Sequence, residues 1–111
     1  QKLKKEIYAY IDSFEKVAVW GAGHQALAVL ALLDLQDKID YVVDSAPFKQ
    51  GKYTPATHLP ILSPATLQVM PVDAIIVMAA SYSDEVAKKI KNNFNISSDI
   101  AILRDIGLQE L

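Results

Sequence analysis

The stretch Val17-Ala18-Val19-Trp20-Gly21-Ala22-Gly23-His24-Gln25-Ala26 constrains the fold more than any other part of the chain. Val17 to Trp20 form a continuous apolar run, as expected of a strand covered on both faces. Gly21 and Gly23 have no Cβ, so the backbone can turn sharply there and admit a ligand at contact distance. Ala26 is small enough for the following helix to pack closely on the strand. Together they spell G-x-G-x-x-A, a form of the dinucleotide-binding fingerprint. Asp44 ends the next apolar run, Ile39-Asp40-Tyr41-Val42-Val43, 23 residues after Gly21. An acidic residue at about that spacing meets a ribose hydroxyl in such folds.

The remaining pattern supports an α/β domain. Residues 2–14 carry Leu3, Ile7, Tyr10, Ile11 and Phe14 at helical spacing, with Lys2, Lys4, Lys5 and Glu6 on the other face. A second helix runs from about Gly23 to Leu33 and is apolar almost all round, which suits a central helix or one covered by a neighbouring domain or subunit. Residues 39–43 read as the second strand. Ser45 to Pro64 is a long irregular stretch holding four of the five prolines, and loops of that length are usually functional. Ser63 and Pro64 suit the N-cap and first turn of a short helix ending before Pro71. Asp73 to Ala79 is the third strand. Ser81 and Asp84 have capping-box spacing ahead of a helix reaching about Asn93. Ile100 to Leu103 is a fourth strand, followed by a closing turn at residues 105–108. This order predicts a Rossmann-like three-layer domain with a central parallel sheet of about four to five strands, strand 1 lying between strands 2 and 3. Residues 1–15 are expected to form a linker helix from an upstream domain, and residues 16–111 the domain itself.

With 111 residues, 51% of them hydrophobic, the chain can build a core without metal or disulfide staples. The absence of cysteine excludes disulfide frameworks, thiolate metal sites and thiol catalysis, and no metal site is expected. A net charge of −2 argues against a nucleic-acid surface, and no apolar run reaches the ~20 residues of a membrane span. With no signal peptide evident, a cytoplasmic location is expected.

The expected ligand crevice lies beyond the carboxyl end of strand 1. Gly21, Ala22, Gly23, His24 and Gln25 would offer turn and helix-start amides to a phosphate. Asp44 would accept from a ribose or sugar hydroxyl. Ser81 and Tyr82 would enter from the end of strand 3, and Lys49, Lys52, Tyr53 and His58 from the long loop above. A diphosphate suits this set better than an apolar ligand. Each residue also has a purely structural role open to it. The glycines can serve packing, Asp44 an Asx turn with Ser45 and Ala46, and His58 can anchor the loop. Ser81 fits a cap better than a nucleophile, because no His/Asp partner stands at a recognisable spacing.

The stretch from Asp44 to Pro64 resembles the pattern D-x-x-P-x-K-Q-G-x-Y-x-P-G-T-H-x-P-I-x-S-P. That pattern belongs to the C-terminal domain of S-adenosylmethionine-dependent sugar C-methyltransferases. The resemblance spans residues 10–108 and includes the glycine turn and the segment Met78-Ala79-Ala80-Ser81-Tyr82. It implies a Rossmann-like domain that helps to hold a nucleoside-diphosphate deoxysugar. S-adenosylmethionine and the catalytic base would reside mainly in an upstream domain, so this domain would bind no cofactor and would not catalyse alone. Gly21, Gly23, Asp44, Lys49, Gln50, Gly51, Tyr53, Thr57 and His58 match the motif. The chain departs from it at Gln25, Ala26 and Leu27, where many members carry a lysine and a glycine, and at Ala56, where they carry glycine. Two other readings share the glycine turn and Asp44, an NAD(P)-binding domain of an oxidoreductase and a domain that binds the methyl donor directly; a further one is a non-catalytic scaffold, since fold does not guarantee function. The first lacks room for a substrate domain in 111 residues.

Overall fold

The computed structural model describes residues 2–111; Gln1, the first residue of the expected linker, lies outside them. The chain runs α1 (Lys2–Asp12), β1 (Val17–Trp20), α2 (His24–Leu32), β2 (Tyr41–Val43), β3 (Ile61–Leu62), α3 (Thr66–Val69), β4 (Ala74–Val77), α4 (Ser83–Asn93), β5 (Asp99–Arg104) and β6 (Gly107–Glu110). These strands form one sheet in the order β3-β2-β1-β4-β5-β6. All neighbours are parallel except β5 and β6, which form an antiparallel hairpin.

The four residues of β1 and the four of β4 are all buried, because helices cover the sheet on both sides. Alternate strand residues feed two cores. Val17, Val19, Val42 and Ile76 pack with Ile7 and Ile11 of α1 and Ala26 and Leu30 of α2. Ala18, Trp20, Val43, Ile75 and Val77 pack with Leu67 of α3 and Ala87 and Ile90 of α4. This is the expected three-layer arrangement, with β1 between β2 and β4.

The sheet has six strands, more than the four to five expected. β3 has only two residues and β6 mixes Leu108 with Gln109 and Glu110, so neither shows a period long enough to read. The edge strand β6 is tied to α1, where the Glu6 carboxylate accepts the Leu108 amide. A charged side chain on an edge amide blunts pairing with other strands. The apolar surplus of α2 lies outward: Ala26 and Leu30 are buried, whereas Ala28, Ala31 and Leu32 face solvent.

The stretch from Ser45 to Pro64 is folded, not irregular. After a 3₁₀ turn at Pro47–Lys49, the chain doubles back with Gly51 N–H to Ile61 O at 2.8 Å, Ile61 N–H to Lys52 O at 2.8 Å and Thr54 N–H to Leu59 O at 2.8 Å. The tip is held by buried Thr54, whose hydroxyl meets that of Thr57 at 2.5 Å and accepts the Leu59 amide at 2.8 Å. Closing this tip places Ala56 at φ +65° and His58 at φ +55°. A Cβ in that conformation costs about 1–2 kcal/mol, which accounts for the glycine that the resembling pattern carries where this chain has Ala56.

Two predictions follow from these packing features. Relief of that strain should outweigh the about 0.4–1 kcal/mol of extra unfolded-state entropy that glycine brings. Ala56→Gly should therefore move the denaturant midpoint upward, by about 0.5–1 kcal/mol of stability; a downward shift would show that the tip tolerates its Cβ. Burial, with smaller contributions from Asp99 and Glu110, pushes the Tyr10 hydroxyl up from 10.0 to about 12. Burial, then Asp40, does the same for Tyr41, whose hydroxyl donates to Met70 O at 2.6 Å. A folded value above the unfolded one gives stability that is intact below pH 10.0 and lost as pH rises through about 12. Phenolate absorbance should thus show these two tyrosines ionising together with unfolding; their ionisation near pH 10.0 in a still-folded chain would contradict the assignment.

Candidate functional site

The two glycines of the turn have different reasons to be there. Gly21 adopts φ +130° and donates its amide to Val43 O at 2.8 Å. A Cβ on it would collide with the Met78 carbonyl, so the sheet itself requires glycine at this position. Gly23 precedes α2 at φ −84° and ψ −177°, a conformation open to other residues, and a Cβ there would meet nothing within 4 Å. Neither backbone nor packing calls for glycine at position 23. Its amide and those of the first turn of α2 have no intrahelical acceptor, which leaves a small anion-accepting floor open to solvent.

Because Trp20 pairs with Val43, the residues that follow β1 and β2 emerge side by side. Asp44 uses that adjacency. Its Oδ2 accepts the Ala22 amide at 2.8 Å and its Oδ1 the Ala46 amide at 2.9 Å. Its main-chain carbonyl accepts Gln50 Nε2 at 2.8 Å. Lys49 Nζ donates to Ala22 O at 3.2 Å and stands 3.8 Å from Asp44 Oδ2. The Ala22 amide, expected to face a phosphate, is therefore spent on Asp44. The Asx turn weighed for Asp44 is present, and about half of the carboxylate's four lone-pair sites remain for a hydroxyl.

From β4 the chain enters the same region through Ala79 and Ala80, the latter at φ +50°, then a 3₁₀ turn at Ala80–Tyr82 leading into α4. The expected Ser81 cap does not form. Ser83, almost fully buried, accepts the Ala79 amide on its hydroxyl at 3.0 Å and closes the turn in place of Ser81. Asp84, freed from capping, receives Arg104 at 2.7 and 3.2 Å. That hydrogen bond holds the Asp84 carboxyl below its ordinary value and raises the Arg104 guanidinium, solvent exposure notwithstanding.

These segments enclose a cleft of about 380 Å³ over the carboxyl ends of β1 and β4. Gly21, Ala22, Gly23, His24, Gln25, Asp44, Lys49 and Tyr82 all line it, so the two chain reversals do open side by side. Ser81 lines an adjoining groove of about 460 Å³ that shares Gln25 and Ala80 with the cleft. Tyr53 and His58 line neither. They stack on each other at the loop tip, ring centres 4.4 Å apart and ring planes nearly parallel at 7°. Sequence reasoning missed Ala80 and Arg104. A positive φ at alanine leaves no trace in composition, and a single arginine at a strand end matches no motif.

A comparison with curated protein sequences returns no match. Among solved structures the chain is similar to UDP-D-quinovosamine 4-dehydrogenase from Vibrio fischeri, with a TM-score of 0.61 and 16% identity. That similarity covers 87% of this chain and 93% of the other, and identifies the fold as Rossmann-like. The glycine turn, the acidic residue on the neighbouring strand and the folded proline loop lie within residues 1–101, which match the family model of the C-methyltransferase C-terminal domain; the chain belongs to that family.

Proposed function

We propose that this domain holds the nucleoside-diphosphate part of a deoxysugar substrate for an S-adenosylmethionine-dependent C-methyltransferase. Gly23 carries the reading. It keeps open the space at the start of α2 that a diphosphate oxygen would fill, beside unpaired first-turn amides and next to Lys49. Asp44 stands one strand away, where its remaining lone pairs can take a ribose hydroxyl. A cation at Lys49 suits a diphosphate and disfavours a sulfonium, which supports placing the methyl donor in another domain. The family match favours this reading over the oxidoreductase one. In this reading the domain positions the nucleotide while methyl transfer takes place on residues of the upstream domain.

Thermal shift with UDP-glucose, TDP-glucose, NAD and S-adenosylmethionine side by side tests the reading. At 100 times its dissociation constant a binding ligand adds about 2.7 kcal/mol of stability. A shift with a nucleotide sugar supports the proposal, and a shift with NAD or S-adenosylmethionine alone refutes it. Gly23→Ala should fold, at a cost of no more than about 1 kcal/mol as a helix cap, and should lose the nucleotide-sugar shift. Gly21→Ala should fail at the folding stage. Equal ligand shifts in Gly23→Ala and the parent would remove the diphosphate from α2.

Replacing Asp44 separates its two roles. Asp44→Ala strands the Ala22 and Ala46 amides and should cost about 1–3 kcal/mol in denaturant unfolding without ligand. It should weaken the nucleotide sugar as well; undiminished affinity at reduced stability would assign Asp44 to the turn alone.

A further inference from the structure

The groove beyond Ala80 extends the cleft toward an arginine that the sequence motifs do not include. In sheet order, β2, β1, β4 and β5 are consecutive parallel strands, and their carboxyl ends deliver Asp44, the glycine turn, Ala80 and Arg104 in one row. Neighbouring strands lie about 4.8 Å apart, so this row spans about 14 Å. The cleft over the first three and the groove over the last two are continuous, sharing Gln25 and Ala80. Ala80 at φ +50° sits on the junction. Such strain persists only where the surroundings enforce it, and it concentrates at binding sites.

Arg104 is held ready. Its Nε–H donates to Gln109 Oε1 at 2.9 Å, and its terminal nitrogens donate to the two oxygens of Asp84 at 2.7 and 3.2 Å. Three of its five N–H groups are thus used in fixing the plane of the guanidinium, and two remain. The groove it borders also presents Ser81, Gln25 and the Asp105 carboxylate against apolar Leu103 and Ala80. Two carboxylates beside the cation oppose a second phosphate there. Donors and acceptors set against an apolar floor match a hydroxylated ring, which gives and accepts hydrogen bonds and has apolar C–H faces.

We infer that the hexose of the nucleotide sugar lies in this second groove, with Arg104 and Ser81 reading its hydroxyls. The inference rests on the nucleotide-sugar reading above and adds the direction of the ligand: ribose at Asp44, diphosphate over Gly23, hexose toward β5. The row of strand ends sets that order, because each moiety meets the group suited to it as the chain of the ligand crosses the sheet.

Calorimetric titration of UDP, TDP, UDP-glucose and TDP-glucose, on the parent chain and on Arg104→Leu, tests it. The parent should bind one of the diphosphates and bind its glucose conjugate more tightly. Arg104→Leu should weaken the conjugate about tenfold or more and leave the free diphosphate within about twofold, as expected when a hydrogen bond to a charged group is lost. Equal losses for both ligands, or no loss, would overturn the inference. Amide chemical shifts of the unaltered chain give a second readout independent of the variant's folding. Ala80, Ser81 and Asp105 should respond to the conjugate and stay still with the diphosphate; the same response to both would place the hexose elsewhere. A parent chain that binds the diphosphate with no gain from glucose refutes the hexose site and leaves the nucleotide reading standing. A parent chain that binds neither refutes both.

Discussion

The Asp44 carboxylate joins two chain reversals that would otherwise be independent. One oxygen takes the amide that follows Gly21 and the other takes the amide that opens the proline loop. Gln50 returns to the Asp44 carbonyl, and Lys49 reaches the carbonyl of Ala22 from the loop side. The register of β1 on β2 makes this possible, since Trp20 opposite Val43 brings the next residues of both strands to the same height. With the carboxylate mostly buried, losing either amide would leave a polar group short of a partner in a low-dielectric setting. The floor of the cleft and its loop wall are therefore ordered as one unit before any ligand arrives. Preorganisation of this kind lowers the entropy that binding would otherwise have to supply.

The strained positions divide by chemistry. Asp34 and Asn95 adopt positive φ at φ +60° and φ +51°, which their short polar side chains tolerate. Ala56 and Ala80 have no such help. At Ala56 the surrounding loop supplies the constraint: Thr54 fixes Leu59 and Thr57, and the His58 amide closes on Thr54 O at 2.9 Å. At Ala80 the constraint comes from Ser83, which holds the Ala79 amide and so sets where the chain turns into α4. One strained alanine thus shapes a loop tip, and the other shapes the passage between two grooves.

What the sequence made legible follows from what buries. The runs Val17 to Trp20 and Ala74 to Val77 are covered on both faces and read as strands; the glycines and Asp44 mark where two of these strands end. The segment from Ser45 to Pro64 was opaque because its order comes from main-chain bonds and two buried threonines, neither of which creates a period. β3 was hidden for the same reason, and β6 because an edge strand can carry Gln109 and Glu110 facing water. Ser81 and Asp84 have the spacing of a capping box, but the 3₁₀ turn at Ala80–Tyr82 delays the start of α4 to Ser83, whose hydroxyl takes the Ala79 amide instead. Tyr53 and His58 belong to the same motif as Lys49, yet the doubled-back loop carries Lys49 into the cleft and leaves the two rings stacked at its tip.

Size alone does not select the ligand side of this sheet. A groove of about 530 Å³ lies near the amino ends of the strands, lined by Leu67, Gln68, Val72 and Phe94 among others, and it is larger than the cleft above the glycine turn. Two of its polar side chains are already engaged: Gln68 Nε2 donates to Phe94 O at 2.9 Å and the Ser98 hydroxyl to Val72 O at 2.6 Å. The strand starts beside it are closed in the same way, since Asp40 accepts the Val17 amide and Asp73 the Lys16 amide at 2.8 and 2.9 Å. At the carboxyl ends the balance reverses. There the first-turn amides of α2 and two N–H groups of Arg104 remain to be satisfied, and Gly23 keeps the approach clear. A polar ligand gains most where fixed donors lacking partners stand side by side, and the helix-start amides and Arg104 form such a row at the carboxyl ends.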